Sequence, residues 1–112
     1  MSDCLFCRIA AGEVPATLVA ETDRTMAFRD ISPQAPTHVL VVPRDHHADL
    51  AACADADPGL LADLHVAAVA VARAEGLDGG YRVLANTGPD AGQTVHHLHL
   101  HVLGGRPLGA LA

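Results

Sequence analysis

Aromatic residues are scarce in this chain: two Phe, one Tyr and no Trp make up 3% of its 112 residues. Core volume must therefore come from Ala, Val, Leu and Ile, and surfaces on which bases stack are correspondingly rare. Basic residues are also few. Seven Lys and Arg against 13 Asp and Glu leave a formal charge of −6, with no basic run to track a nucleic-acid backbone, so no nucleic-acid partner is expected. No apolar stretch approaches the roughly 20 residues that a membrane-spanning helix needs, and no charged-then-apolar leader opens the chain. The expectation is a soluble, cytoplasmic protein with no membrane partner. Cysteine is sparse too: three is an odd number, and two of them form Cys4-x-x-Cys7, which fits a reducing compartment better than a secreted disulfide framework.

What is present reads as one globular domain spanning 1–112, since half the residues are hydrophobic and 18% are charged. Leu5, Phe6 and Ile9 give a short helical stripe that Gly12 and Pro15 end. Residues 16–21 and 25–29 read as a hairpin, and 30–37, with Ser32, Pro33 and Pro36, as an ordered loop. The run 38–43 is continuously apolar and β-branched, which suits a strand buried on both faces. One long helix is expected over 57–75, with Asp57 as N-cap, Pro58 in the first turn and Gly76 past the end. Strands follow at 81–86 and about 97–103. The fold class is α+β, an antiparallel sheet of about five strands with one long helix and a short N-terminal helix.

The strongest chemical signal is His97-Leu98-His99-Leu100-His101-Val102-Leu103. A strand alternates faces, so the imidazoles share one row while Leu98, Leu100 and Val102 face the core. Neighbouring rings close enough to share hydrogen bonds fix one another's tautomers, which leaves a bare nitrogen aimed outward. Imidazole is substantially neutral at pH 7 and is a good leaving group once phosphorylated. The preceding Asn86-Thr-Gly-Pro-Asp-Ala-Gly-Gln93-Thr94 describes a phosphate cradle, with backbone N–H groups approaching an anion and Gln93 and Thr94 adding side-chain donors. Two other readings of the array stay open: a solvated strand face, and a tri-histidine metal site. His96 falls off the row and reads as structural.

The pattern His-φ-His-φ-His-φ-φ resembles the defining motif of the histidine-triad (HIT) family of nucleotide hydrolases and transferases. Asp30-Ile-Ser-Pro-Gln-Ala-Pro-Thr-His38, Val41-Val-Pro-Arg44 and the run from Gly92 to Gly104-Gly105-Arg106 resemble its Hint branch, in the same order, over nearly the whole chain. The resemblance implies a purine-nucleotide hydrolase that cleaves at the α-phosphate of an AMP or GMP derivative, such as a phosphoramidate or aminoacyl adenylate. It assigns His99 as the nucleophile that forms a nucleotidyl-histidine intermediate, with His97 and His101 flanking it and His38 supporting the network. It places Asp30 on the ribose, Asn86, Gly92, Gln93 and Thr94 around sugar, phosphate and leaving group, and Leu5, Phe6 and Ile31 around the base. Arg106 reads as a surface or interface residue. No organic cofactor is implied, and a homodimer is.

Cys4 and Cys7 have a spacing that lets two thiolates grip one Zn²⁺ from a single turn. By the resemblance, His46 and His97 complete a structural zinc site, with His47 as a substitute for His46. A redox dithiol and two unremarkable thiols are the competing readings, and Cys53 reads as a small packed residue. At the level of function, the alternatives are a Fhit-like dinucleoside polyphosphate hydrolase and a zinc-binding interaction module with a vestigial pocket.

Overall fold

The computed structural model describes residues 3–111. Its first helix, α1 (Leu5–Ala10), is capped by Cys4, whose Sγ accepts from the Cys7 N–H at 3.4 Å. A helix this short does not hold by itself. It is kept in place by Phe6 and Ile9, which are buried against Met26, Phe28, Leu40 and Val42. The expected hairpin follows as β1 (Leu18–Glu21) and β2 (Thr25–Arg29), with Thr22 Oγ1 accepting from the N–H groups of Arg24 and Thr25 across the turn.

The continuously apolar run forms β3 (Thr37–Pro43), buried from His38 onward. Its alternate side chains enter two different cores. Val39 and Val41 point, with Ala27, Leu100 and Val102, toward the long helix, whereas Leu40 and Val42 meet α1. A five-stranded sheet of order β1-β2-β3-β5-β4, antiparallel throughout, is completed by β4 (Tyr81–Leu84) and β5 (Leu100–Gly104). The chain therefore has the α+β architecture expected from its sequence.

The long helix, α3 (Pro58–Ala74), starts where its signals place it: the Asp57 carboxylate accepts from the Leu60 N–H, and proline occupies the first turn. Leu60, Leu64, Ala68 and Val71 form its buried stripe, and each fully buried leucine contributes about 1.5–3 kcal/mol relative to exposure. Arg24 pairs with both Asp57 and Asp63, fastening the hairpin to the start of α3.

Two features depart from the sequence-based expectation. A second helix, α2 (Leu50–Ala56), precedes α3 and is capped by Asp49, whose side chain accepts from Ala52 N at 2.8 Å. The last strand begins at Leu100 instead of His97, because the ladder partner of β5 runs into Pro43, which has no N–H to donate. The segment ahead of β5 is held by other bonds, including Leu98 N–H to the His47 carbonyl at 2.7 Å. Only His101 of the three histidines lies within the regular strand.

Gly104 and Gly105 end β5 in a tight place: a Cβ on Gly105, at φ +98°, would stand 2.9 Å from Pro36 Cβ. Gly105→Ala should lower stability by about 1–3 kcal/mol in urea unfolding. Gly109→Ala, where nothing lies within 4 Å, should stay within about 0.5 kcal/mol. Equal unfolding midpoints would refute this packing.

Candidate active site and metal centre

A cleft of about 620 Å³ opens on the α1 side of the sheet, between α1, the segment 15–17 ahead of β1 and the end of β2. Its walls are apolar, with Leu5, Phe6, Phe28 and Leu40, and its polar residues are Thr17, Arg29, Asp30, Thr94, His99 and His101. Phe6 stands edge-on to Phe28, His97 and His99, at centroid distances of 5.3, 5.8 and 5.1 Å. Ile31 is 97% exposed at the cleft's edge.

Backbone donors and acceptors fix the ring tautomers. The Gln34 N–H donates to His38 Nδ1 at 3.0 Å, so the proton of neutral His38 is on Nε2. That N–H points at His101 Nδ1, 2.8 Å away, which places the His101 proton on Nε2 in turn. His101 Nε2 is buried and has no hydrogen-bond partner among the described residues. It is a buried donor left for a group beyond the described residues, such as a ligand oxygen. Burial, reinforced by His99 and His38 and opposed by Asp30, pushes His101 down to about 4; burial also lowers His38 against the pull of Asp30. Both rings are thereby held neutral at physiological pH.

His99 is oriented differently. Its Nδ1 lies 2.7 Å from the His97 carbonyl and must donate to it, so Nε2 carries the bare lone pair on the cleft side. A main-chain carbonyl sets this tautomer, where the sequence pattern suggested a neighbouring imidazole. Asp30 sits beside this pair: its Oδ1 accepts from Ser32 N at 2.8 Å, capping the turn, and its Oδ2 lies 3.4 Å from His38 Nε2.

On the far side of Phe6 is a second cluster. Cys4, Cys7, His46 and His97 each offer a donor atom, all within 4.8 Å of one another. His97 Nδ1 is 3.3 Å from Cys4 Sγ and 3.5 Å from Cys7 Sγ, and His46 Nδ1 is 3.3 Å from Cys7 Sγ. A tetrahedral Zn²⁺ with ordinary bond lengths holds its donors about 3.3–3.8 Å apart. His97 donates its Nε2–H to the Pro43 carbonyl at 2.8 Å, which leaves Nδ1 as a lone pair facing the thiols, the arrangement of an imidazole metal ligand. The residues thus fit an ion held by thiolates and imidazoles. The neighbouring trio of Asp30, His38 and His101 also lies within 4.8 Å, but its facing nitrogens already share a proton and it does not fit one.

The family model for the HIT domain matches residues 11–108. The chain belongs to the HIT family. It is 44% identical over 109 residues to the 14 kDa zinc-binding protein of Zea mays, an alignment covering 96% of this chain and 85% of that one. Among solved structures, a HIT family hydrolase from Legionella pneumophila superposes with a TM-score of 0.91 at 50% identity, covering 96% of each chain. A histidine triad nucleotide-binding protein from Candida albicans gives 0.82 at 34%, covering 98% of this chain and 87% of that one.

In this HIT domain the structure places Leu5, Phe6, Asp30, Ile31, Thr94, His99 and His101 around the cleft. It gives other residues different places. His97 is fully buried, with its ring turned to the cysteines and only its carbonyl turned to His99. Gln93 does not act as a cradle donor: its amide nitrogen donates to the carbonyls of Ala48 and Val95, and its oxygen accepts from Gly88 N. The N–H groups of Ala91, Gly92 and Gln93 bond within the loop itself, to Gly88 and Pro89 carbonyls. Asn86, Gly92 and Gln93 are not among the residues lining the cleft. The sequence expectation of an open backbone cradle is therefore corrected to a self-bonded 3₁₀ turn (Pro89–Ala91) clamped by Gln93. His96 is exposed, His46 and not His47 approaches the thiols, Cys53 is packed in the core, and Arg106 is an exposed residue bonded to the Gln34 carbonyl. Gln34, through its main-chain N–H, and the cleft wall at Pro15 and Thr17 went unread, since neither carries a distinctive residue type.

Because His101 is held neutral, unfolding takes up a proton as soon as pH falls below the ordinary imidazole value of 6.5. Its contribution to stability is complete above that pH and is lost progressively toward 4. In a ¹⁵N-resolved NMR titration, His101 should hold its Nε2–H form at pH 6 and titrate at about 4; a midpoint near 6.5 would contradict the buried relay.

Proposed function

We propose that this HIT protein is a purine-nucleotide hydrolase of the Hint type that cleaves at the α-phosphate through a covalent intermediate on His99. The observation that carries the reading is the bare His99 Nε2 on the cleft beside the unpartnered His101 Nε2–H. A nucleophile and a donor for phosphoryl oxygen are thus prepared side by side, with centroids 5.0 Å apart.

In the proposed reaction the base enters the apolar end of the cleft against Phe6, and Asp30 accepts from the ribose hydroxyls. His99 Nε2 bonds to the α-phosphorus as the bond to the leaving group breaks, and the leaving group departs with the electron pair and takes up a proton from water. His101 Nε2–H and Thr94 hydrogen-bond to the phosphoryl oxygens as charge builds. Water then attacks the phosphorus on the opposite side and the P–N bond breaks, releasing the nucleoside monophosphate and restoring the neutral ring. Phosphoramidates and aminoacyl adenylates of AMP or GMP suit this scheme. Leu103-Gly-Gly-Arg106 supports the Hint assignment over a dinucleoside polyphosphate hydrolase, and the hydrolase and nucleotide-binding relatives support a nucleotide hydrolase of either kind.

The thiol-imidazole cluster is proposed to hold structural Zn²⁺, which supplies a cross-link between α1 and the segment ahead of β5; the zinc-binding relative supports this. Reduced thiols suit a cytoplasmic location. A homodimer is supported by the exposed Ala62, Val66 and Ala70, spaced one turn apart on α3, and by the open edge of β4; light scattering should give twice the 11.6 kDa chain mass, and the single-chain mass would remove the dimer.

His99→Ala should lower turnover of adenosine 5′-phosphoramidate by more than about 10³-fold. Rapid mixing of the wild type followed by denaturing mass spectrometry should reveal an adduct of one nucleotidyl mass on the peptide holding His99. Retained turnover in the variant would dismiss His99 from this role, and an inert wild type with no adduct would favour a non-catalytic zinc module.

A further inference from the structure

His99 lies outside the regular sheet. β5 begins one residue later and its last rung with β3 joins Leu100 to Val41. The 97–99 segment is held by three anchors: Leu98 N–H on the His47 carbonyl, His97 Nε2–H on the Pro43 carbonyl, and His97 Nδ1 against the two thiols. Two of the three belong to one side chain. The same residue's carbonyl is the acceptor that fixes the His99 tautomer. On the other side of the cluster, Cys4 and Cys7 bracket Phe6, whose ring touches His97 and His99 and forms the cleft wall. α1 has only six residues to keep that ring in place.

We propose that the Cys4–Cys7–His46–His97 centre is coupled to the nucleotide cleft, its occupancy by a metal ion positioning His99 through the His97 backbone and the base wall through Phe6. This rests on the nucleotide reading given above and assigns His97, Cys4 and Cys7 as positioning residues. An ion drawing the four donors together fixes the 97–99 segment and α1 with one set of bonds, so the cleft is ordered before a nucleotide arrives. Coupling of this kind is reciprocal: the factor by which the ion tightens nucleotide must equal the factor by which nucleotide tightens the ion.

Calorimetry with AMP on zinc-loaded and chelator-stripped protein, together with zinc titration against a chromogenic chelator with and without AMP, tests this. Stripping should weaken AMP about 10-fold, and AMP should tighten zinc by the same factor. His46→Gln, which removes the exposed ligand and keeps both thiols, should show AMP affinity rising in step with added zinc. The His99 Nδ1–H signal should be sharp in loaded protein and exchange-broadened in stripped protein, while amide signals of β2 and β3 stay in place. Equal AMP affinity with and without zinc would overturn the coupling while leaving the nucleotide reading intact. Loss of the β2 and β3 signals on stripping would overturn it in favour of a plain folding role. Failure of AMP to bind either form would overturn the nucleotide reading and the coupling with it.

Discussion

The hydrogen bond from His99 Nδ1–H to the His97 carbonyl, 2.7 Å long, is the constraint on which the site depends. An imidazole has two nitrogens of similar basicity, and in water its tautomers interconvert freely. A carbonyl accepts and never donates, so it selects one tautomer without itself titrating. Everything that makes His99 a candidate nucleophile follows from that choice, because only the nitrogen facing the cleft retains its lone pair. The residue supplying the carbonyl is in turn held by its own ring, between Pro43 and the thiols of Cys4 and Cys7.

A second chain of bonds works the other way. From Gln34 N–H through His38 to His101, each ring passes its donor capacity to the next. The last N–H is buried with no partner among the described residues, and an unmet buried donor costs free energy until a ligand accepts from it. Both chains begin at backbone groups and end in the cleft, one as an acceptor and one as a donor. Burial keeps His38 and His101 neutral, so the donor persists without an added positive charge. The donor side of the site is thus assembled from two neutral rings whose protons are placed by main-chain geometry, and Arg29 is the one lysine or arginine in the described cleft lining.

Much of this was legible in the chain. The two-residue period of the histidines and of Leu98, Leu100 and Val102 separated the polar row from the core, and Asp57-Pro58 with Gly76 bounded α3 closely. Period alone could not show that the ladder stops at Leu100, because that depends on Pro43 lying opposite, a partner remote in sequence. Nor could it show that the His97 ring serves the cysteines while its carbonyl serves His99: backbone acceptors carry no residue-type signal. Gln93 was misread for a related reason. Glycines beside an amide suggest an open anion cradle, but Gly88 and Pro89 carbonyls satisfy the loop's own N–H groups and the amide clamps it. α2 went unseen although Asp49 is a good N-cap and the alanines of 50–56 favour a helix, because seven residues are too few to show an apolar stripe of helical period.

The decisive measurement is a crystal structure with AMP bound, in which the phosphorus should face His99 Nε2, a phosphoryl oxygen should accept from His101 Nε2–H, and the ribose should rest on Asp30. A phosphate seated away from both rings, or a His99 ring turned so that Nδ1 faces the ligand, would contradict it.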